Sequence, residues 1–191
     1  MSLLDGILSQ LDQDELIEKL GKSVDANPDQ VKKLVQVGMP SLVQALNKNA
    51  KSPAGAASLA KALDQHKDDK VDDLSDFLRN VDTKDGAKIL QHVLGSKTDA
   101  VEKNLSLQTG LQGDQVGALL SMLAPLLMGS LGQQKKKQGI DTSGLGGLLG
   151  GLLGGSGSDN LRGGLSGLLD SDKDGDMMDD VGDLLGGFFK K

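Results

Sequence analysis

Two stretches of the chain decide its fold: DQVKKLVQVGMPSLVQALNK at residues 29–48 and DQVGALLSMLAPLLMGSLGQ at residues 114–133. In both, apolar residues recur every three or four positions, as on one face of an α-helix. The stretches align without gaps at an offset of 85 residues, and the alignment pairs Pro40 with Pro125. Shared amphipathicity explains the aligned leucines, but not a helix-disrupting proline at the same place twice. The alignment indicates a duplicated helical unit, with chance and common helix chemistry as the competing explanation.

Capping signals mark the starts of two helices. Asn27-Pro28 and Ser52-Pro53 each place a capping side chain before a proline, and Gln30 is spaced to reach back to its cap. Because proline lacks an amide donor, we expect the first long helix to kink or split at its internal proline. No segment alternates convincingly with period two, so strands are not expected. We predict an all-α fold: a compact multi-helix core with two related helical units, followed by a Gly/Leu-rich C-terminal extension.

Composition divides the 191 residues into a balanced part and an acidic, glycine-rich part. Residues 1–138 hold 18 acidic and 17 basic residues, whereas residues 139–191 hold 9 and 4, which is −5 of the net charge of −6. The second part also holds 16 of the 27 glycines. We therefore predict three regions: an all-helical core at 1–138 with repeat units at about 27–95 and from 112–138 onward, a Gly/Leu-rich segment at 139–169, and an acidic loop with a short C-terminal helix at 170–191.

Several classes of function are disfavoured by composition. The chain has no cysteine, which excludes disulfides, thiolate metal sites and thiol nucleophiles. Two arginines and no Tyr or Trp leave little for binding nucleic acid, and the lysine run at residues 135–137 is expected at a solvated helix end. His66 and His92 have no partner at metal-binding spacing, so we expect them to be exposed or to line the core. No motif of a nucleophile or phosphate loop occurs, and we predict that the protein is not an enzyme.

Membrane and secretion signals are also missing from the sequence. No window approaches the roughly 18 consecutive apolar residues of a transmembrane helix. The N-terminal residues MSLLDGILSQLDQDE lack a basic region, a long apolar run and a small-residue cleavage site. We therefore expect no transmembrane segment and a cytoplasmic location.

The glycine-rich segment carries two leucine stripes at helical spacing. Each interior glycine costs a helix about 1 kcal/mol relative to alanine, so we expect these stripes to be ordered only against an apolar surface. That surface is the protein's own core, a second copy or a membrane, and the lack of basic residues argues against anionic lipid. Glycines four residues apart, at Gly146, Gly150 and Gly154, would let another backbone approach closely. The alternative is a flexible linker. The stripes are Leu145, Leu148, Leu149, Leu152 and Leu153, then Leu161, Leu165, Leu168 and Leu169.

The stretch DSDKDGDMMDD at residues 170–180 matches part of an EF-hand calcium loop. Carboxylates stand at loop positions 1, 3 and 5, glycine at 6 and a backbone carbonyl at 7, but Val181 occupies position 12, where a bidentate acid is expected. Seven aspartates within residues 170–183 would repel one another in a folded loop without a cation. The competing interpretation is a solvated acidic turn before a final helix at 177–189. The candidate calcium ligands are Asp170, Asp172, Asp174, Asp176 and Asp180.

Taken together, the motifs resemble the YidB-like family, the bacterial domain of unknown function 937. The resemblance rests on five features in a specific order, and it covers almost the whole chain. It implies an all-helical bacterial protein, and it brings no catalytic residues with it. From the residues themselves we expect self-association into a homo-oligomer, or binding of a protein partner, with calcium binding as the alternative. The five features are the segments at 27–66, 85–95 and 120–132, the Gly-Leu tail, and LLDSDKDGDMMDDVGDLLGGF at 168–188.

Overall fold

Helices make up nearly all of the regular structure in a computed structural model that describes residues 3–153. No β-strand occurs in that range, which confirms the predicted all-α fold. A short 3-10 turn at Gly95–Lys97 precedes the seventh helix. The helices are α1 Leu3–Leu11, α2 Asp14–Val24, α3 Pro28–Ala50, α4 Pro53–His66, α5 Leu74–Asn80, α6 Thr83–Leu94, α7 Thr98–Thr109, α8 Gly113–Gln138 and α9 Leu145–Leu153.

The predicted helix starts at α3 and α4 are confirmed. The side chain of Asn27 accepts a hydrogen bond from the Asp29 amide at 2.9 Å, and Ser52 Oγ accepts one from the Gly55 amide at 3.1 Å. Each cap satisfies an amide that has no partner within its own helix. Gln30 does not bond back to its own cap as predicted. Its side-chain amide donates instead to the Gly110 carbonyl, in the turn before α8.

The two internal prolines do not divide their helices: of the two expected effects of Pro40, the split does not occur, and the kink stays a prediction. Both α3 and α8 continue through their prolines. In a helix, proline leaves the carbonyl four residues earlier without its usual donor, and for Pro125 that carbonyl belongs to Ser121. The backbone of α6 lies against this carbonyl, so closely that a Cβ added at Gly86 would collide with the Ser121 oxygen. The irregular position in α8 is thus where α6 docks.

The core lies between α3 and α8. Helix α6 packs along α8, α9 packs along α3, and α4 contacts both long helices. By length and composition α8 could cross a membrane, with a mean hydropathy of 1.5 over its most apolar window, but 78% of that window is buried inside the protein. It is the one such helix within residues 3–153. Its apolar character is accounted for by its central position, since a helix that is hydrophobic all round can be a core helix.

Helices α2–α3, here called the first half, and helices α7–α8, called the second half, are related by reciprocal contacts. The side-chain amide of Gln30 donates to the Gly110 carbonyl at 2.7 Å, and that of Gln115 donates to the Asp25 carbonyl at 2.9 Å. Both pairs of positions, 30 with 115 and 25 with 110, are separated by 85 residues, the offset of the sequence alignment. Asp25 and Gly110 also share a left-handed backbone, with φ of 53° and 77°. Each glutamine therefore caps the turn that precedes the other long helix.

Helix α9 places the first leucine stripe against the protein's own core. Leu145 and Leu149 are fully buried and Leu152 is nearly so, and the contact surface is formed mainly by α3, with further contacts from α1 and α4. The glycines face the other way: a Cβ at Gly146 or Gly150 would meet nothing within 4 Å. The close backbone approach that we expected at these two glycines is therefore not present among the described residues.

The chain divides into one unit at Met1–Leu153, which contains all nine described helices, and a second at Gly154–Lys191, which lies outside the described residues. The second leucine stripe, the acidic loop and the predicted C-terminal helix belong to this second unit. Helix α9 is part of the first unit, so the contiguous core reaches beyond residue 138.

Candidate functional site

A groove runs between α7 and the beginning of α8, with a volume of about 560 Å³. One wall is the face of α7 that carries Glu102 and Ser106, and the end of the groove is formed by the glycine-containing turn between the helices. This turn needs a left-handed residue, which Gly110 supplies. Helix α8 then begins with the Gln112 amide donating to Gln115 Oε1 at 2.9 Å. The helix end, the turn and the helix start together fix the shape of the groove.

Glu102 lies partly buried at the wall of the groove. Its carboxylate covers the backbone of α8, since a Cβ at Gly117 would stand 2.8 Å from Glu102 Oε1. Burial raises the pKa of the Glu102 carboxyl, and the negative charge of Asp99 raises it further. Burial and the repulsion from Asp99 both disfavour the charged form of Glu102. A cation placed in the groove would offset both effects by attracting the carboxylate.

Two further residues give the groove an unusual surface. Leu107 is 80% exposed, and it is the only large hydrophobic side chain within residues 3–153 that is exposed. Ser106 Oγ is buried at the lining and has no hydrogen-bond partner among the described residues. Leu111, at 4% exposure, supplies an apolar floor. The groove thus combines an apolar edge and floor with a partly buried carboxylate.

The groove lining places three ionisable groups next to apolar side chains. The ionisable groups of the lining are Asp99, Glu102 and Lys103, and no histidine lies among them. Within the described range, no group of three or more His, Asp or Glu side chains is arranged to hold a metal ion. The carboxylates supply negative charge, and the leucines beside them supply an apolar surface.

Sequence reasoning missed this groove, although one signal was present. The buried stripe of α7 includes Leu105, and Leu107 stands two residues later, which places it on the opposite face of the helix. A leucine off the stripe, within the polar run KNLSLQTG, marks an exposed apolar side chain. The partial burial of Glu102 has no such signal, since it depends on the packing of α7 against α8.

The structure does not describe the predicted calcium ligands. Asp170, Asp172, Asp174, Asp176 and Asp180 all lie outside the described residues. The calcium loop and the competing acidic turn therefore both stay predictions.

The two histidines bridge helices rather than form a shared site. His66 Nδ1 lies 2.8 Å from Asp69 Oδ2, and His66 Nε2 lies 3.6 Å from Asp85 Oδ2 at the start of α6. His92 Nε2 is 2.9 Å from Ser58 Oγ and links α6 to α4 at the surface. Sequence spacing does not indicate the contact between Asp85 and His66, because Asp85 belongs to another helix.

The lysine run at the end of α8 is engaged in ion pairs with α4 and the turn that follows it. Lys135 Nζ lies 2.7 Å from Asp64 Oδ1, and Lys136 Nζ lies 2.7 Å from Asp68 Oδ1. These hydrogen bonds from the lysines lower the pKa of the Asp64 and Asp68 carboxyls. One of the three lysines therefore links α8 to α4 and a second links α8 to the turn after α4, in addition to the favourable position of cations at a helix C-terminus.

Comparison with known proteins places the chain in a family. Neither the curated proteins nor the solved structures that were compared with it gave a match. The model of a family described as "Bacterial protein of unknown function (DUF937)" matches residues 5–134. This range runs from α1 to the last turns of α8 and includes both related halves and the groove. Because the match spans more than half of its length, the chain belongs to the DUF937 family of bacterial proteins.

Proposed function

We propose that this protein is a non-enzymatic helical module that associates with itself or with a protein partner through its second leucine stripe. That stripe consists of Leu161, Leu165, Leu168 and Leu169. The observation that carries the proposal is the packing of α9, in which leucines at similar helical spacing alternate with glycines; α9 reads LGGLLGGLL and the second stripe reads LRGGLSGLL. In α9, leucines at this spacing are buried on α3, and the glycines between them face outward.

The free-energy terms of α9 indicate why the second stripe would also need an apolar surface to pack against. Each interior glycine costs about 1 kcal/mol relative to alanine, whereas each leucine that is fully buried contributes about 1.5–3 kcal/mol. A Gly/Leu helix is therefore stable when something covers its leucines. The second stripe has the same need, and a second copy of the chain or a protein partner would meet it.

The test compares the oligomeric state of the full chain with that of a variant ending at Leu153. This end point retains α9, whose removal would expose the core at α3. We expect the full chain to show a concentration-dependent mass above that of one chain by light scattering, and the shortened variant to stay monomeric. Equal oligomeric state and equal helicity per residue in the two proteins would reject the proposal.

A matched pair of substitutions in the full chain separates the stripe from general effects of charge. Leu165→Asp places a carboxylate in the second stripe, and Ser166→Asp places the same group at the next position, outside the stripe. We expect the first variant to lose association and the second to retain it. Loss in both variants would show that added negative charge, rather than the stripe, is responsible.

Calcium binding is the second candidate function, favoured by the spacing of Asp170, Asp172, Asp174 and Gly175. Calorimetric titration of the full chain with calcium in physiological salt is expected to give a saturable signal. The double variant Asp172→Ala with Asp174→Ala should abolish it. The absence of heat from the unaltered chain would leave the solvated acidic turn as the explanation of this sequence.

A further inference from the structure

The groove at α7 has a counterpart in the first half of the molecule, where the pattern of polarity is reversed. At the offset of 85 residues, Glu102 corresponds to Ile17 and Leu107 corresponds to Lys22. Ile17 is a core residue with 3% exposure, and Lys22 pairs with Glu18 at the surface. The first half therefore has the ordinary arrangement, with the apolar side chain inside and the charged one outside.

In the second half both positions depart from that arrangement. Glu102 takes a carboxylate to a partly buried position beside Asp99, where burial raises its pKa. Leu107 presents a full leucine side chain to water. The buried positions of α7 are supplied by Leu105 and Thr109, so the apolar core of this helix needs neither residue, although the Glu102 carboxylate lies against α8 at Gly117. A local break in consistent patterning, here at two positions of one helix, is expected at a functional site.

We propose that the α7–α8 groove is a docking site for a peptide segment of a partner protein that carries an apolar side chain next to a lysine or arginine. The apolar side chain covers Leu107 and reaches Leu111 at the floor of the groove. The basic group pairs with Glu102, which Asp99 reinforces with a second negative charge. This site lies in the described core and does not depend on the second leucine stripe.

The dimensions of the groove agree with such a ligand. A volume of about 560 Å³ accommodates a few side chains of a peptide. Lys103 stands on the same wall and favours a segment in which the basic residue is confined to the Glu102 side. The ligand expected from this charge pattern is an amphipathic segment rather than a uniformly cationic one.

The experiment is a titration of the full chain with three probes, followed by calorimetry and by NMR shifts of backbone amides. The probes are a short amphipathic peptide of leucine and lysine, the same peptide with glutamate for lysine, and spermine. We expect saturable binding of the leucine–lysine peptide, with the largest shifts in residues 99–113. The leucine–glutamate peptide should bind at least about tenfold more weakly.

Variants assign the two contacts. Leu107→Lys introduces the residue of the first half at an exposed position, and it should weaken the leucine–lysine peptide by at least about tenfold. Glu102→Gln should weaken it severalfold and reduce its preference over the leucine–glutamate peptide. The matched control Lys22→Leu creates an exposed leucine at the corresponding place in the first half, and it should leave the affinity unchanged.

Several outcomes would overturn the proposal. Equal affinity for the two peptides would remove the role of Glu102, and shifts centred outside residues 99–113 would place the contact elsewhere. Binding of spermine as tight as that of the leucine–lysine peptide would identify a free polyamine as the ligand. No detectable binding of any probe would also contradict the proposal, because the proposed site is an accessible groove in the free protein.

Discussion

In the first half of the protein Ile17 is buried and Lys22 is paired at the surface, whereas in the second half the corresponding positions carry Glu102 and Leu107. The contacts that hold the halves together are nevertheless reciprocal, with Gln30 and Gln115 each capping a turn of the other half. The framework of the two halves is thus shared, and their surfaces have diverged. The difference separates residues that the fold requires from residues that are free to serve recognition.

The largest effect is expected where α6 docks on α8. Gly86→Ala would drive a methyl group into the Ser121 carbonyl oxygen. That oxygen and the Gly86 Cα that would carry the methyl group both belong to helix backbones, so α6 would have to shift. We expect a loss of about 3 kcal/mol in the free energy of unfolding, measured with urea. The control Gly6→Ala in α1, where a Cβ meets nothing within 4 Å, should be neutral or slightly stabilising. A neutral Gly86→Ala would contradict the close docking of α6.

The reversed polarity can be transferred to the first half. Ile17→Glu would bury a carboxylate at a core position with 3% exposure. We expect a destabilisation of about 2–3 kcal/mol by chemical denaturation at neutral pH. The control Glu18→Gln changes charge at the exposed neighbouring position and should have a small effect. Comparable stability of the two variants would show that the first half tolerates the pattern of the second.

Gln30 and Gln115 should differ modestly in what they contribute to the free energy of unfolding. Gln115 donates to two carbonyls, those of Val24 and Asp25, whereas Gln30 donates to the Gly110 carbonyl. We expect Gln115→Ala to cost about 1–2 kcal/mol and Gln30→Ala about 1 kcal/mol, both in thermal or urea unfolding. A double variant whose loss equals the sum of the single losses would indicate that the two contacts act independently. If neither variant is less stable than the unaltered chain, the reciprocal contacts do not stabilise the fold.

The smallest effect concerns α4 and α9, the helices that follow the two long ones. Helix α4 is rich in alanine, whereas α9 is rich in glycine and exposes Gly150. Gly150→Ala should raise the free energy of unfolding by up to about 1 kcal/mol through helix propensity. The control Gly132→Ala, whose Cβ would lie 2.6 Å from the Leu63 carbonyl oxygen, should be destabilising. Destabilisation by Gly150→Ala would mean that a contact of this glycine is missing from the account.

Local features of this fold were predictable from sequence, and distant ones were not. The caps at Asn27 and Ser52 act over two or three residues, so the sequence pattern contains all of their partners. The leucine spacing of residues 145–153 likewise predicted a helix that needs cover, although it left open which surface provides that cover. The contact of Gln30 with Gly110 spans 80 residues, and no local rule indicates it.

The candidate site shows the same limit. Leu107 departs from the helical stripe of α7 and could have been identified as an exposed leucine. Glu102 could not, because its burial arises from the approach of α7 to Gly117 on α8. The prolines were identified in sequence, but the docking of α6 was not: the carbonyl freed by Pro125 lies where Gly86 docks, in a helix that continues without a split.

The most direct test of the central claim is the stability of the double variant Glu102→Ile with Leu107→Lys, which gives α7 the residues of α2. If these positions serve recognition, the variant should fold and be more stable than the unaltered chain by about 1 kcal/mol at neutral pH. The raised pKa of Glu102 means that its cost is present above that pKa and disappears as the pH falls through it, so part of the gain should shrink on acidification. A double variant that is less stable at neutral pH would show that Glu102 and Leu107 are required by the fold, and it would contradict the account.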